Sequence, residues 1–134
     1  MKTAKELLMD YLENIGNPDI QIELFADDAA IELPYLASLG MPARWEGKDT
    51  LHTFLGNLPN TLPGFRFKNI QIHIDTPDQA FGEYEATATI GSNGKAYAQH
   101  YMGRLVAENG KIKLLREALN TVPVLRDIKG ITIS

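Results

Sequence analysis

Ala4, Leu7, Leu8, Tyr11, Leu12 and Ile15 recur at helical spacing behind Thr3-Ala4-Lys5-Glu6, which has the Thr-x-x-Glu form of a capping box. They predict a first helix that runs to about Ile15 and stops at Gly16. Asn17-Pro18 supplies an N-cap and a proline suited to a first helical position, so a short second helix is expected over 19–26. Ala29, Ile31 and Leu33 alternate with Ala30 and Glu32, a strand pattern that Pro34 ends. The pattern then dissolves into a loop holding Gly40, Pro42 and Trp45. Leu51, Phe54, Leu55 and Leu58 restore helical spacing for a third helix, ended by Pro59 and Pro63-Gly64. Four alternating runs follow, over 65–75, 80–90, 96–107 and 111–120. Thr76-Pro77-Asp78, Gly91-Ser92-Asn93-Gly94 and Glu108-Asn109-Gly110 separate them with turn chemistry suited to antiparallel neighbours. Helix, helix, strand, helix and a long meander predict an α+β fold with helices on one face of a curved antiparallel sheet.

If the last two turns close tight hairpins, with Gly91 opposite Gly94 and Glu108 opposite Lys111, cross-strand partners follow by counting. Glu85 then faces His100, Glu83 faces Met102, Met102 faces Glu117, and Arg104 faces Leu115. One sheet face gathers Phe81, Glu83, Glu85, Thr87, His100, Met102, Arg104, Leu115, Glu117 and Leu119; the other carries Tyr84, Ile90, Tyr101, Leu105 and Leu114. Two readings are open from the residues alone. Either the polar face meets solvent while the apolar face packs on the helices, or the polar face is concave and roofed while the apolar face meets a second copy.

Composition narrows the function classes. At 134 residues, with 44% apolar and 22% charged positions, the chain is expected to form one domain over 1–134 with one core. The absence of cysteine removes disulfides, thiol nucleophiles and cysteine-ligated metal. A net charge of −4 with dispersed Lys and Arg argues against a nucleic-acid footprint. No apolar run approaches the ~18 residues of a membrane span, and Met1-Lys2-Thr3 leads into charged helical sequence, so a cytoplasmic protein is expected. His52, His73 and His100 lack paired ligand spacing, so no metal and no cofactor are expected. The serines lack a Gly-x-Ser-x-Gly setting, and Gly91-Ser92-Asn93-Gly94 joins strands instead of opening a phosphate-binding helix.

Tyr11 in the first helix, Phe25-Ala26-Asp27-Asp28-Ala29-Ala30-Ile31-Glu32-Leu33-Pro34, Trp45-Glu46-Gly47-Lys48 and Asn109-Gly110-Lys111-Ile112 together carry a resemblance. The chain resembles the nuclear transport factor two-like superfamily in its SnoaL-like, ketosteroid isomerase-like branch. The resemblance implies a cone-shaped, cystatin-like fold, its curved antiparallel sheet wrapped around three N-terminal helices, with dimerisation through the convex sheet face. It also favours the concave placement of the polar face. Tyr97-Ala98-Gln99-His100-Tyr101, Arg116-Glu117 and Leu125-Arg126 are similar to the phenazine-biosynthesis A/B-type subgroup, where the glutamate of the Arg-Glu pair is an acid/base group; that position is Glu117. Ketosteroid isomerase places its base just before the proline after strand one, where this chain has Leu33, and its second oxyanion donor falls near Met102. Steroid isomerisation by that route is therefore not expected.

The candidate site combines Glu117, His100 and Glu85 as catalytic groups with Tyr11, Glu83, Met102, Arg104, Trp45, Leu115 and Leu119 around the ligand. Glu117 between apolar neighbours would lose hydration and gain proton affinity, His100 would be oriented by Glu85, and Tyr11 or Arg104 would hold a developing oxyanion. The expected function is cofactor-free acid/base isomerisation, cyclisation or dehydration next to the carbonyl of an apolar metabolite. The competing class is a non-catalytic ligand-binding or dimerisation module of the same fold.

Overall fold

Thr3 caps α1 (Ala4–Glu13): its hydroxyl accepts from the Glu6 N–H, and the Glu6 carboxylate accepts from the Thr3 N–H. The computed structural model describes residues 1–133. The apolar stripe of α1 is buried along Ala4, Leu7, Leu8, Tyr11 and Leu12. The second helix is shorter than its pattern predicts. It forms α2 (Pro18–Gln21) and one tight turn, Ile22–Leu24, before β1 (Phe25–Glu32) begins. Burial explains the early strand start, because Phe25 is wholly inside while Asp27 and Asp28 are exposed where the pairing of β1 slips between Phe25 and Ala30.

The loop after β1 contains a 3-10 helical segment, Pro34–Leu39, and a three-residue strand β2 (Arg44–Glu46) that neither spacing nor turn chemistry signalled. Next comes α3 (Lys48–Thr61), which carries Pro59 in its last turn instead of ending before it. Four long strands follow: β3 (Arg66–Asp75), β4 (Gln79–Thr89), β5 (Ala96–Glu108) and β6 (Lys111–Leu119). The chain returns through α4 (Thr121–Pro123) and a π-helical turn, Val124–Ile128.

The strands form one sheet in the order β2-β1-β6-β5-β4-β3. This corrects the expected cone. The sheet is an open layer with free edges at β2 and β3, neither closed nor strongly curled, and it does not wrap around the helices. Nor is it wholly antiparallel, since β1 lies parallel to β6. One edge strand is only three residues long, and the two edges are separated by the full width of the sheet, so nothing joins them. The helices cover one face: α1 packs on β3, β4, β5 and β6, and α3 on β1 and β2.

Register decides what lies under that cover. Between β4 and β5 the pairing follows the hairpin count, with Glu85 opposite His100 and Glu83 opposite Met102. Between β5 and β6 it holds for Glu108–Lys111 and Ala107–Ile112, and then Val106 pairs with Leu114, leaving Lys113 as an extra residue. A one-residue bulge moves all later side chains to the opposite face. Glu117 therefore pairs with Gly103 instead of Met102, and Leu115 with Leu105 instead of Arg104. Leu115, Glu117 and Leu119 join Tyr84, Tyr101 and Leu105 beneath the helices.

The concave, roofed placement of the polar face is corrected by the same observation. The apolar face packs on the helices, and His100, Met102 and Arg104 point outward and are exposed. Of the residues expected to meet a second copy, Tyr84, Ile90, Tyr101 and Leu105 are buried within this chain and only Leu114 is partly accessible. The physical reason is area: burying several aromatic and aliphatic side chains against α1 is worth far more than seating a few charges there, which costs desolvation.

Deleting Lys113 removes the extra residue and leaves Leu115 opposite Leu105 and Glu117 opposite Gly103, so that variant is expected to keep Glu117 buried and to retain cooperative urea unfolding. Lys113→Ala, which removes only an exposed ion pair with Asp28, should leave the urea midpoint nearly unchanged in the same measurement.

Candidate functional site

A cavity of about 250 Å³ lies between the covered face of the sheet and the elements above it. Tyr11 reaches it from α1, Phe54 from α3, Trp45 from β2, Tyr101 from β5, and Glu117 from β6. The C-terminal turn closes one side with Val124 and Ile128, which the strand-and-helix reading did not include. Its wall is aromatic: Tyr11 stands edge-on to Phe25 at 5.9 Å, Phe67 meets Tyr84 edge-on at 5.2 Å, and Trp45 lies against Phe54 at 4.2 Å.

One acid sits in this apolar enclosure. Glu117 is 4% exposed, and its Oε2 accepts a hydrogen bond from the Tyr84 hydroxyl. Burial raises its pKa to about 7, against the partial opposition of the Tyr84 hydrogen bond, which favours the charged form. Tyr11, Tyr84 and Tyr101 are all pushed well above the ordinary phenol value, chiefly by burial, with Glu117 adding to each. The phenols thus stay protonated as donors while the carboxyl changes state near neutrality.

The polar inventory of the cavity is unbalanced. Among the described residues, the one side-chain polar atom both sealed away and without a partner is Gln21 Oε1. The Tyr11 and Tyr101 hydroxyls and Glu117 Oε1 make no hydrogen bond within the described chain, so they open into the cavity instead of being sealed behind it. Two phenolic donors and one titratable oxygen therefore face the same small volume.

A sequence profile described as the SnoaL-like domain matches residues 8–115. The chain belongs to the SnoaL-like family. An uncharacterised PhzA/B-like protein of Pseudomonas aeruginosa is 30% identical over 131 residues, covering 96% of this chain and 92% of that one. Among solved structures, a phenazine biosynthesis-related protein of Pseudomonas aeruginosa superposes with a TM-score of 0.85 at 24% identity, over 98% of this chain and 83% of that one. A protein with a ketosteroid isomerase-like fold from Catenulispora acidiphila, crystallised with trimethylamine, gives 0.72 at 14%, over 86% and 85%. The SnoaL-like fold is associated in general with isomerase- and cyclase-type chemistry on small molecules. Among the described residues, no helix of this SnoaL-like protein is long and apolar enough to cross a membrane.

The expected site residues divide between the two faces of the sheet. Glu117, Tyr11, Trp45 and Leu119 line the cavity, and Leu115 is buried in the core beside it. His100, Glu85, Glu83, Met102 and Arg104 lie on the outer face. There His100 Nε2 pairs with Glu83 at 2.6 Å, not with Glu85, and His73 takes the other oxygen of Glu83 at 3.1 Å. Glu85 instead accepts from Asn69 Nδ2 at 2.7 Å. Arg104 forms no ion pair with Glu83 or Glu117 among the described residues; its neighbour Arg116 pairs with Glu32 at 2.7 Å. An open groove runs along this outer face past Tyr35, Met102, Arg104 and Arg116, about 570 Å³ in volume.

Tyr84, Tyr101 and Gly103 were missed because the resemblance favoured a concave polar face and left the opposite face, which carries them, to a second copy. One signal was present: Leu114-Leu115 places two consecutive apolar residues in an otherwise alternating strand, which marks the phase change at Lys113.

Because the folded pKa of Glu117 lies above the unfolded carboxylate value, the folded state holds its proton to higher pH, and stability is lost as pH rises from about 4.5 to about 7. In Glu117→Gln that loss is absent. The stability difference between variant and wild type should therefore shift in the variant's favour by on the order of 3 kcal/mol across this window, read from urea unfolding at a series of pH values.

Proposed function

We propose that this SnoaL-like protein is a cofactor-free acid/base catalyst acting beside the carbonyl of an apolar small molecule, with Glu117 as the proton-transferring group. The observation that carries this reading is a single carboxyl with a pKa of about 7, one oxygen held by Tyr84 and the other open to a cavity lined by unpartnered phenols. A catalytic acid/base works best when its pKa is close to ambient pH, and an apolar enclosure keeps water from competing for the proton.

Each step uses a group already in place. In its ionised state, Glu117 Oε1 removes a proton from the carbon next to the carbonyl, and the electron pair left on carbon delocalises onto the carbonyl oxygen. Tyr11 and Tyr101 donate hydrogen bonds to that developing enolate oxygen, which is where preorganised donors lower a barrier most. The protonated Glu117 then returns the proton to a different carbon, which completes an isomerisation and restores the carboxylate. In an intramolecular closure, the same enolate carbon attacks a second carbonyl and Glu117 delivers its proton to the new alkoxide. Three donors or acceptors set on three separate elements suit a ligand whose apolar body fills the aromatic enclosure while a few polar atoms fix its orientation.

His100 and Glu85 have no part in this scheme, because the sheet separates them from the cavity. Arg104 lies on the same outer face and is likewise replaced by Tyr101 as the donor paired with Tyr11.

The test is proton exchange in deuterated water with a panel of one- and two-ring enolisable ketones, followed by NMR. Wild type is expected to incorporate deuterium next to the carbonyl of at least one, with kcat/KM rising through an apparent pKa of about 7 as the carboxylate forms. Glu117→Gln should lower turnover by roughly 10²–10⁴ and abolish that pH dependence. Binding without exchange in wild type overturns the catalytic reading and leaves a ligand-binding module, whereas full turnover in Glu117→Gln overturns the assignment of Glu117 as the proton-transferring group.

A further inference from the structure

Tyr84 and Glu117 are not on neighbouring strands. Tyr84 projects from β4 and Glu117 from β6, and β5 lies between them. For the Tyr84 hydroxyl to reach Glu117 Oε2, its ring must pass over β5, and the residue beneath that path is Gly103. Gly103 pairs with Gly82 on one side and with Glu117 on the other, so it occupies the position directly beside the acid.

The space above Gly103 is filled by the phenol. A Cβ at position 103 would overlap the Tyr84 hydroxyl oxygen and stand only 3.1 Å from Tyr84 Cζ and 3.3 Å from Glu117 Cγ. Backbone geometry does not account for the glycine, because Gly103 is absent from the positive-φ positions of the chain. Strand stability does not account for it either, since glycine in the interior of a 13-residue strand weakens that strand. What the glycine provides is a missing side chain, at the one place where a phenol crosses from β4 to β6.

The crossing ring is itself immobilised. It is wholly buried, stacked on Tyr101 with centroids 5.7 Å apart and interplanar angle 26°, and edge-on to Phe67 at 5.2 Å. A donor held in this way fixes one carboxyl oxygen and leaves the other to point into the cavity.

We propose that Gly103 and Tyr84 are positioning residues that anchor Glu117 Oε2 and thereby present Oε1 alone to the ligand. The proposal deepens the acid/base reading and rests on it for its functional meaning, although the geometry can be tested without any substrate. The Tyr84 hydroxyl can donate only one hydrogen bond, and it is committed to Oε2. A ligand therefore meets a carboxyl whose orientation is set before it arrives, and proton transfer runs through a single oxygen on a single side of the bound molecule. The other titratable groups facing Glu117 are Tyr11 from α1 and Tyr101 from β5, and both titrate far above the carboxyl. A change in the proton affinity of Glu117 on altering position 84 or 103 therefore reports the anchor and not a second ionisation.

The experiment follows the Glu117 side-chain carboxyl by carbon-13 NMR as a function of pH in four proteins: wild type, Gly103→Ala, Tyr84→Phe and the double variant. Loss of a hydrogen bond to the charged form should raise the Glu117 midpoint by roughly one unit in Tyr84→Phe, and by a similar amount in Gly103→Ala. In the double variant the added methyl no longer meets a hydroxyl, so its midpoint should match Tyr84→Phe alone. It should also regain thermal stability relative to Gly103→Ala, because removing the hydroxyl relieves the overlap with the added methyl. If Gly103→Ala does not fold, comparison of the double variant with Tyr84→Phe still decides the matter.

An unchanged midpoint in Tyr84→Phe, or a further equal rise when Gly103→Ala is added to it, overturns the anchoring. Failure of the Glu117 assignment looks different: the midpoints shift as expected while Glu117→Gln retains full deuterium exchange. Conversely, exchange that depends on Glu117 with midpoints unmoved by either variant leaves the catalyst and removes the anchor.

Discussion

The hydrogen bond from Tyr84 to Glu117 is the interaction on which the rest of this site depends. An acid under a helical cover, surrounded by aromatic rings, is tolerable only if at least one oxygen finds a donor, since an unpaired buried carboxylate would be expensive. Tyr84 supplies that donor without adding a positive charge. A lysine or arginine in its place would pair with the acid and hold it ionised, as Arg116 and Arg44 do for Glu32 on the outer side, where the carboxyl is held below its ordinary range. A neutral phenol offsets only part of the burial, and the proton affinity of Glu117 settles near neutrality.

This arrangement is assembled from features that each weaken the sheet locally. Lys113 interrupts the ladder between β5 and β6, Gly103 leaves a gap in the middle of a long strand, and the Tyr84 hydroxyl extends over that gap to Glu117. Their costs are recovered in the aromatic cluster of Phe67, Tyr84 and Tyr101, whose rings meet at 5.2–5.7 Å and tie β3, β4 and β5 together under α1. The bulge turns the acid inward, the glycine admits the phenol, and the cluster keeps the phenol in place.

The outer face shows what the same residue types do when they remain in water. Glu83 sits between His73 and His100 and is held below the ordinary carboxylate range by their hydrogen bonds. Its exposure means that solvent screens both pairs, so this cluster resembles an ordinary surface network more than a reactive centre. Two glutamates of one sheet are thus moved in opposite directions, one down by imidazole partners in solvent and one up by burial beside a neutral phenol.

The chain's own residues determined the types of the longer elements, the capping box at Thr3, the α1 stripe that carries Tyr11, and the hairpin register that sets Glu85 opposite His100. Each follows from contacts or spacings within one element or across one tight turn, which local chemistry specifies. Glu117 was also singled out in the sequence, through its apolar neighbours and the Arg-Glu resemblance, and the structure buries it. Its face was not. One bulged residue among nine in β6 inverts the inside and outside of everything after it, and its energy comes from which side chains α1 and the C-terminal turn can bury. The openness of the sheet, the parallel seat of β1 beside β6, and the path of Tyr84 across Gly103 likewise depend on residues tens of positions apart. Only the tertiary structure decided them, because they arise from competition for a shared interior and not from the preference of any single segment.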